Sequence, residues 1–192
     1  MTPHTTKAWA RIWATAACVL AAVSLLGGCS APTTKFESKW KAASADYDRY
    51  ELAHQQHEAR EAQGVEEPRR ALVIEGPWEG KWRSTKDSPS GALRCVLTRT
   101  GPDTYSADFH ATYFWLFRFA YSMPLQVKRR DDTYNVVLFT GETDLGGGSG
   151  KFQYSGHASA EEFICTYRSS RDYGYFEMTR PGFGRGQVAR AE

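Results

Sequence analysis

The side chain best placed for covalent chemistry is the thiol of Cys29. It follows two glycines at the end of an apolar run from Ile12 to Leu26, which Lys7 and Arg11 precede and no acidic residue interrupts. Basic, then apolar, then small is the layout of a secretory signal. Gly27 and Gly28 leave an extended, unobstructed backbone beside a side chain that is nucleophilic enough to be alkylated selectively. Elsewhere the reactive groups are sparse. A metal site at His110 or His157 would need a carboxylate such as Asp108 or Glu161 to converge with them, yet strand alternation turns His110 and Asp108 outward, as solvated histidines would be. His54 and His57 continue a helical stripe with no third ligand beside them. The stretch Asp144-Leu145-Gly146-Gly147-Gly148-Ser149-Gly150 lacks the Lys-Ser/Thr ending of a phosphate loop and reads as a hairpin loop, and Asp131-Asp132 reads as a solvated turn. No nucleophile, base and charge stabiliser group together, so the expectation is a protein without catalytic residues, metal or cofactor.

Leu26-Gly27-Gly28-Cys29 resembles the lipobox of bacterial lipoproteins. The resemblance implies that residues 1–28 are a signal peptide, that Cys29 receives a thioether-linked lipid, that cleavage falls before it, and that a further acyl chain such as palmitate caps the new amine. The apolar run is shorter than the roughly 20 residues of a transmembrane helix. A freely secreted chain is the alternative. Each buried acyl methylene contributes about 0.8 kcal/mol, so two or three chains hold a protein on a bilayer where one does so marginally. Ser30, and not Asp, would be the second residue of the mature chain, which points to the outer membrane, facing the periplasm.

Removing residues 1–28 leaves 164 residues, enough for one core plus an arm. The whole chain has 24 basic and 22 acidic side chains, and cleavage takes away Lys7 and Arg11 alone among them. The mature protein is therefore balanced, which argues against nucleic acid as a partner. Cys95 and Cys165 remain to face an oxidising envelope; they are candidates for a disulfide, with buried free thiols the alternative.

After a tether at 29–34, the residues Phe36, Trp40, Ala43, Tyr47 and Tyr50 recur at steps of four and three, predicting one apolar stripe on an amphipathic helix over 35–64. Thr33 or Thr34 can cap its start and Gly64 can stop it. A stripe of Phe, Trp and two Tyr must dock on something, and the chain's own folded domain is the default receiver. A linker at 65–74 leads to that domain, 75–181, and a polar tail at 182–192 follows.

Within 75–181 the period becomes two and turn residues punctuate at short intervals, the signature of an all-β domain. Inward positions are expected at Trp78 and Trp82, at Leu93, Cys95 and Leu97, at Tyr105 and Phe109, and at Phe117, Phe119, Tyr121, Leu125 and Val127. The later runs supply Tyr134, Val136 and Leu138, then Phe152 and Tyr154, then Phe163, Cys165 and Tyr167, then Phe176 and Met178. About eight strands with short connections predict an antiparallel up-and-down meander. Closure into a barrel would remove exposed edges, with a sandwich of two sheets as the alternative. Val96, Val137, Phe139 and Ile164 fall on the outward parity and are expected to receive the helix stripe.

Gly76-Pro77-Trp78 or Gly80-Lys81-Trp82, with Arg180 near the last strand, resembles the lipocalin and calycin barrels, which open on Gly-x-Trp and close with a basic residue packed on that tryptophan. The resemblance implies barrel-base packing of Trp78 or Trp82 with Arg180. Thr143-Asp144 departs from a lipocalin loop motif, since Leu145 stands where an aromatic belongs. The helix-then-barrel layout is also similar to that of envelope lipoproteins. Tyr113-Phe114-Trp115-Leu116-Phe117 should lie near a hairpin tip, where polar residues are usual; it could touch a membrane, cover a mouth for an apolar ligand, or finish the core. Thirteen inward aromatics tend to fill a small barrel completely. The sequence thus predicts a lipid-anchored, non-enzymatic barrel acting as a structural or interaction module among envelope proteins. The alternative is a lipocalin-like carrier of an apolar small molecule or lipid.

Overall fold

In a computed structural model, residues 32–65, 72–86, 89–113, 117–144 and 150–182 are described. One helix, α1 (Pro32–Glu61), precedes a barrel. Proline in its first turn costs no hydrogen bond, because the first amides of a helix have no partner within it. At the far end Gly64 takes a left-handed φ of 83° and Val65 donates to the Arg60 carbonyl at 3.2 Å, so the chain turns off where a glycine permits it. The helix begins three residues earlier and ends three earlier than the stripe alone predicts. No helix among the described residues is long and apolar enough to cross a membrane.

The strands are β1 (Gly76–Ser84), β2 (Ser90–Gly101), β3 (Thr104–Tyr113), β4 (Phe117–Asp131), β5 (Val136–Asp144), β6 (Lys151–Ala158), β7 (Glu162–Arg168) and β8 (Tyr173–Thr179). Each pairs antiparallel with the next, and β1 pairs with β8, giving a closed up-and-down barrel of eight strands among the described residues. The expected architecture is the observed one, and the sandwich is not formed. Closure leaves no sheet edge unpaired.

Ring contacts run through the interior. Trp78 meets Phe163, and Phe163 stacks on Phe139 at 4.8 Å. Phe109 meets Tyr121 at 5.1 Å and Phe176 at 5.4 Å, while Phe176 meets Tyr154 and Tyr167. Ile74, just before β1, is 1% exposed and seals the end where β1 begins. Cys95 and Cys165 are both buried free thiols, so the candidate disulfide does not form. They stand on β2 and β7, with β1 and β8 between them, and strands spaced about 4.8 Å apart hold those backbones well beyond the roughly 7 Å that a bridge spans.

One strand carries the opposite parity from that expected. Val137 and Phe139 are buried, whereas Leu138 is exposed and Tyr134 is 78% exposed in the turn before β5. The pairing of β4 with β5 shifts between Val127 and Arg129, a bulge at Lys128, and Asn135 turns through a left-handed φ of 51°. The register sets Phe139 opposite the inward Val127, so Val137 and Phe139 fill the interior in place of Tyr134, Val136 and Leu138.

Candidate functional site

The first contact surface is the seam between α1 and the outer wall of β1–β4. Phe36 is 5% exposed and stacks on the imidazole of His110 at 5.0 Å. Arg94 lies over both Phe36 and Trp40, at 5.3 and 5.1 Å from the ring centres, and donates to both carboxylate oxygens of Glu37, one at 3.1 Å. Lys39 pairs with Asp108, whose other oxygen accepts from Ser122. Thus the stripe docks on its own domain, and the helix supplies one charge of each sign to a strand residue of the opposite sign. Val96 is 3% exposed on the outward parity, in register with Asp108. Ile164 stands on β7, outside the walls that α1 meets, and Val137 and Phe139 face inward; of the four expected receivers Val96 alone lies on this wall.

His110 and Asp108 do point outward, but beneath the helix and not into solvent. Burial and the nearby Arg94 push the His110 imidazole below its ordinary value of 6.5, and its Nε2 is buried without a hydrogen-bond partner. Arg94 also holds the Glu37 carboxyl below the usual range. No sequence signal picks His110 as the ring that Phe36 would cover, since helical spacing reveals a docking face and not what it docks on. His157 is partly exposed and 3.9 Å from Glu162. Among the described residues, no three His, Cys, Asp or Glu side chains cluster as metal ligands do.

The second site is the sealed end. Arg180 is 2% exposed and its guanidinium lies 3.7 Å from the Trp78 ring centre and 4.4 Å from that of Tyr47. Its Nε donates to Ala160 O at 3.0 Å, Nη1 to the carbonyls of Glu75 and Pro77 at 2.9 and 3.2 Å, and Nη2 to Val73 O at 3.0 Å. Burial lowers its pKa to about 10, still far enough above neutrality to keep the charge. Gly76-Pro77-Trp78 is therefore the Gly-x-Trp that meets the basic residue. Trp82 is elsewhere, donating from Nε1 to Thr112 O at 3.2 Å, and Gly91 is needed there because a β-carbon on it would fall 1.7 Å from that same oxygen.

The third site is the opposite end, the mouth. Inward rings here are half-buried: Trp82, Phe119, Tyr121 and Phe152 pack on the core without being covered by it. Above them Asp172 accepts from Ser84 at 2.6 Å and from the Tyr167 hydroxyl at 3.0 Å, tying the β1 and β8 ends together. The rim is basic among its described residues: Arg83, Lys86, Arg118, Lys151, Arg168 and Arg171 stand against Glu142, Asp144 and Asp172. Tyr113 and Phe117 are paired in register as the last rung of the β3–β4 hairpin at this end. Phe114 and Trp115 lie outside the described residues, as does Cys29.

Two recesses are lined by described residues. One of about 610 Å³ flanks the start of α1 and is lined by Glu37, Arg94, His110 and Arg118. Another, about 780 Å³, lies over β5–β8 beside Thr140, Gln153, Thr166 and Tyr175. No protein-family model matches the chain, and neither a curated protein nor a solved structure matches it.

Proposed function

We propose that this chain is a lipid-anchored lipoprotein of the cell envelope, held by acyl chains on Cys29, whose barrel is a structural and interaction module and not an enzyme. The observation that carries the module reading is the packed interior, in which one group of rings, Trp78, Phe163 and Phe139, stands toward the sealed end and a second, Phe109, Tyr121, Phe176, Tyr154, Tyr167 and Phe152, toward the mouth, within a core that also holds Cys95, Met123 and Cys165. Interior packing of this kind supports a module over a carrier, which needs open space for its cargo. The outward groups Asp108, His110 and Arg94 are engaged in holding α1, through Lys39, Phe36 and Glu37. An outer-membrane position facing the periplasm agrees with Ser30 after the acylated residue.

Two measurements test it. Cells fed labelled palmitate should label the protein, and Cys29→Ala should abolish the label; undiminished labelling, or a mature chain beginning elsewhere, overturns the anchor. Native mass spectrometry of protein extracted from its host should give the mass of the acylated chain alone. A stoichiometric extra mass that unfolding releases would favour the second reading, carriage of an apolar molecule, for which the half-buried Trp82, Phe119 and Phe152 at the mouth speak.

A further inference from the structure

We infer that the protein stands on the bilayer mouth downward, with the basic rim of the barrel on phospholipid headgroups and the Arg180 end facing away. The inference rests on the acylation of Cys29 proposed above. Two independent observations carry it, one of connectivity and one of charge.

The connectivity is short. Three peptide steps separate Cys29 from Pro32, the first residue of α1, and an extended chain covers at most about 3.6 Å per residue. The acylated sulfur therefore lies within roughly 10 Å of the helix start, plus its own side chain. That start is beside the β3–β4 hairpin: Phe36 covers His110, three positions before the last rung at Tyr113, and Glu37 feels the charge of Arg118, the residue after Phe117. From there α1 runs toward the other end, where Tyr47 lies 3.7 Å from the position of a β-carbon on Gly76 and contacts Arg180. At 1.5 Å per residue, Tyr47 is about 22 Å along the helix from Pro32. Fixed by its ion pairs and rings, the helix holds the sealed end away from the anchor.

The charge agrees. Arg83, Lys86, Arg118, Lys151, Arg168 and Arg171 project around the mouth against three carboxylates, and Lys151 already uses Glu142. The opposite end carries Asp103, Asp131, Asp132, Glu161 and Glu162 among its bases. Of the two ends, the mouth complements a layer of phosphates, and an anionic surface attracts basic groups within a screening length of it.

The test uses the acylated full-length protein in vesicles of phosphatidylethanolamine and phosphatidylglycerol that carry a nitroxide on the headgroup. A fluorophore is attached in turn through Arg171→Cys at the mouth and Asp132→Cys at the sealed end; Cys95 and Cys165 are buried and Cys29 is acylated, so neither background competes. Quenching should be several-fold stronger at position 171 than at 132. Adding Lys86→Glu and Arg168→Glu to the Arg171→Cys protein should reduce its quenching about two-fold or more in these vesicles and leave it unchanged in phosphatidylcholine. Equal quenching at the two labels, or stronger quenching at 132, overturns the orientation, and indifference to the charge reversals overturns the headgroup contact. Intact mass of the same sample reads the anchor separately: acyl chains present with equal quenching sinks this inference alone, whereas a mass without them sinks the anchor and the orientation together.

Discussion

Arg180 remains a cation in a buried position because each part of its guanidinium is answered, the edge by four carbonyls and the two faces by Trp78 and Tyr47. Charge-assisted hydrogen bonds contribute about 1.5–3 kcal/mol each and do not add fully, so Arg180→Ala is expected to cost about 3 kcal/mol or more in denaturant unfolding. Arg180→Lys should recover less than half, since a point charge cannot reach carbonyls spread around a planar fork. His110 gives a pH signature. Facing it are Phe36 and Glu37 of α1, Arg94 of β2 and Arg118 of β4, and its folded pKa lies below the ordinary 6.5. The unfolded chain thus binds the proton first, so this group's contribution is intact above 6.5 and is lost as pH falls through the lower folded value. Melting temperatures measured from pH 7.5 downward should fall, and His110→Gln should flatten that part of the profile. Burial raises Cys95 and lifts Cys165 to about 12, so neither thiol should react with an aromatic disulfide reagent until the protein unfolds. Strand alternation is enough to read the thiols as inward and His110 as outward. Sequence spacing does not show that His110 lies under Phe36, because that contact joins residues from elements whose relative placement is a tertiary property.

At the scale of elements, α1 is held at its start by Phe36 and by the crossed pairs Glu37–Arg94 and Lys39–Asp108. Exposed ion pairs contribute about 0–1 kcal/mol, so the ring is expected to dominate. Phe36→Ala should speed amide exchange over 36–43 by a hundred-fold or so, a loss of about 3 kcal/mol, while exchange in β5–β8 stays unchanged. The β4 bulge is the other local feature. Lys128 has no partner on β5, so removing it would leave Val127 opposite Phe139 and Arg129 opposite Leu138 in a continuous ladder, with Val137 and Phe139 still inward. Circular dichroism should show a single cooperative melt for that deletion, without dye binding to exposed apolar surface. The phase of β5 is illegible in sequence because Val136, Val137, Leu138 and Phe139 are all apolar, so neither parity is marked polar. It is fixed by the register with the neighbouring strand, which sets Phe139 opposite Val127. By contrast, Gly64 and the regular Phe36 to Tyr50 spacing announce the helix, because the signals that make and end it are local.

For the molecule as a whole, the meander is readable from turn residues at short intervals, and closure follows from the need to protect two edges. Of the two Gly-x-Trp candidates, Trp78 and not Trp82 packs on Arg180. Phe114, Trp115 and Leu145 lie outside the described residues. Phe109 touches Tyr121 and Phe176 at once, so Phe109→Ala should cost about 3–5 kcal/mol and make a cavity able to bind a small aromatic molecule, observable as a rise in melting temperature on adding benzene. Seam topology also sets a schedule. β1 is threaded out first and its second neighbour, β8, comes last, while the cation that locks the join reaches back 105 positions to Glu75. Every partial chain delivered amino-end first is consequently an open ribbon with two adhesive borders. A polypeptide cut short before residue 180 does not become a lesser barrel; it stays unclosed, and cells must shelter it until β8 and Arg180 arrive.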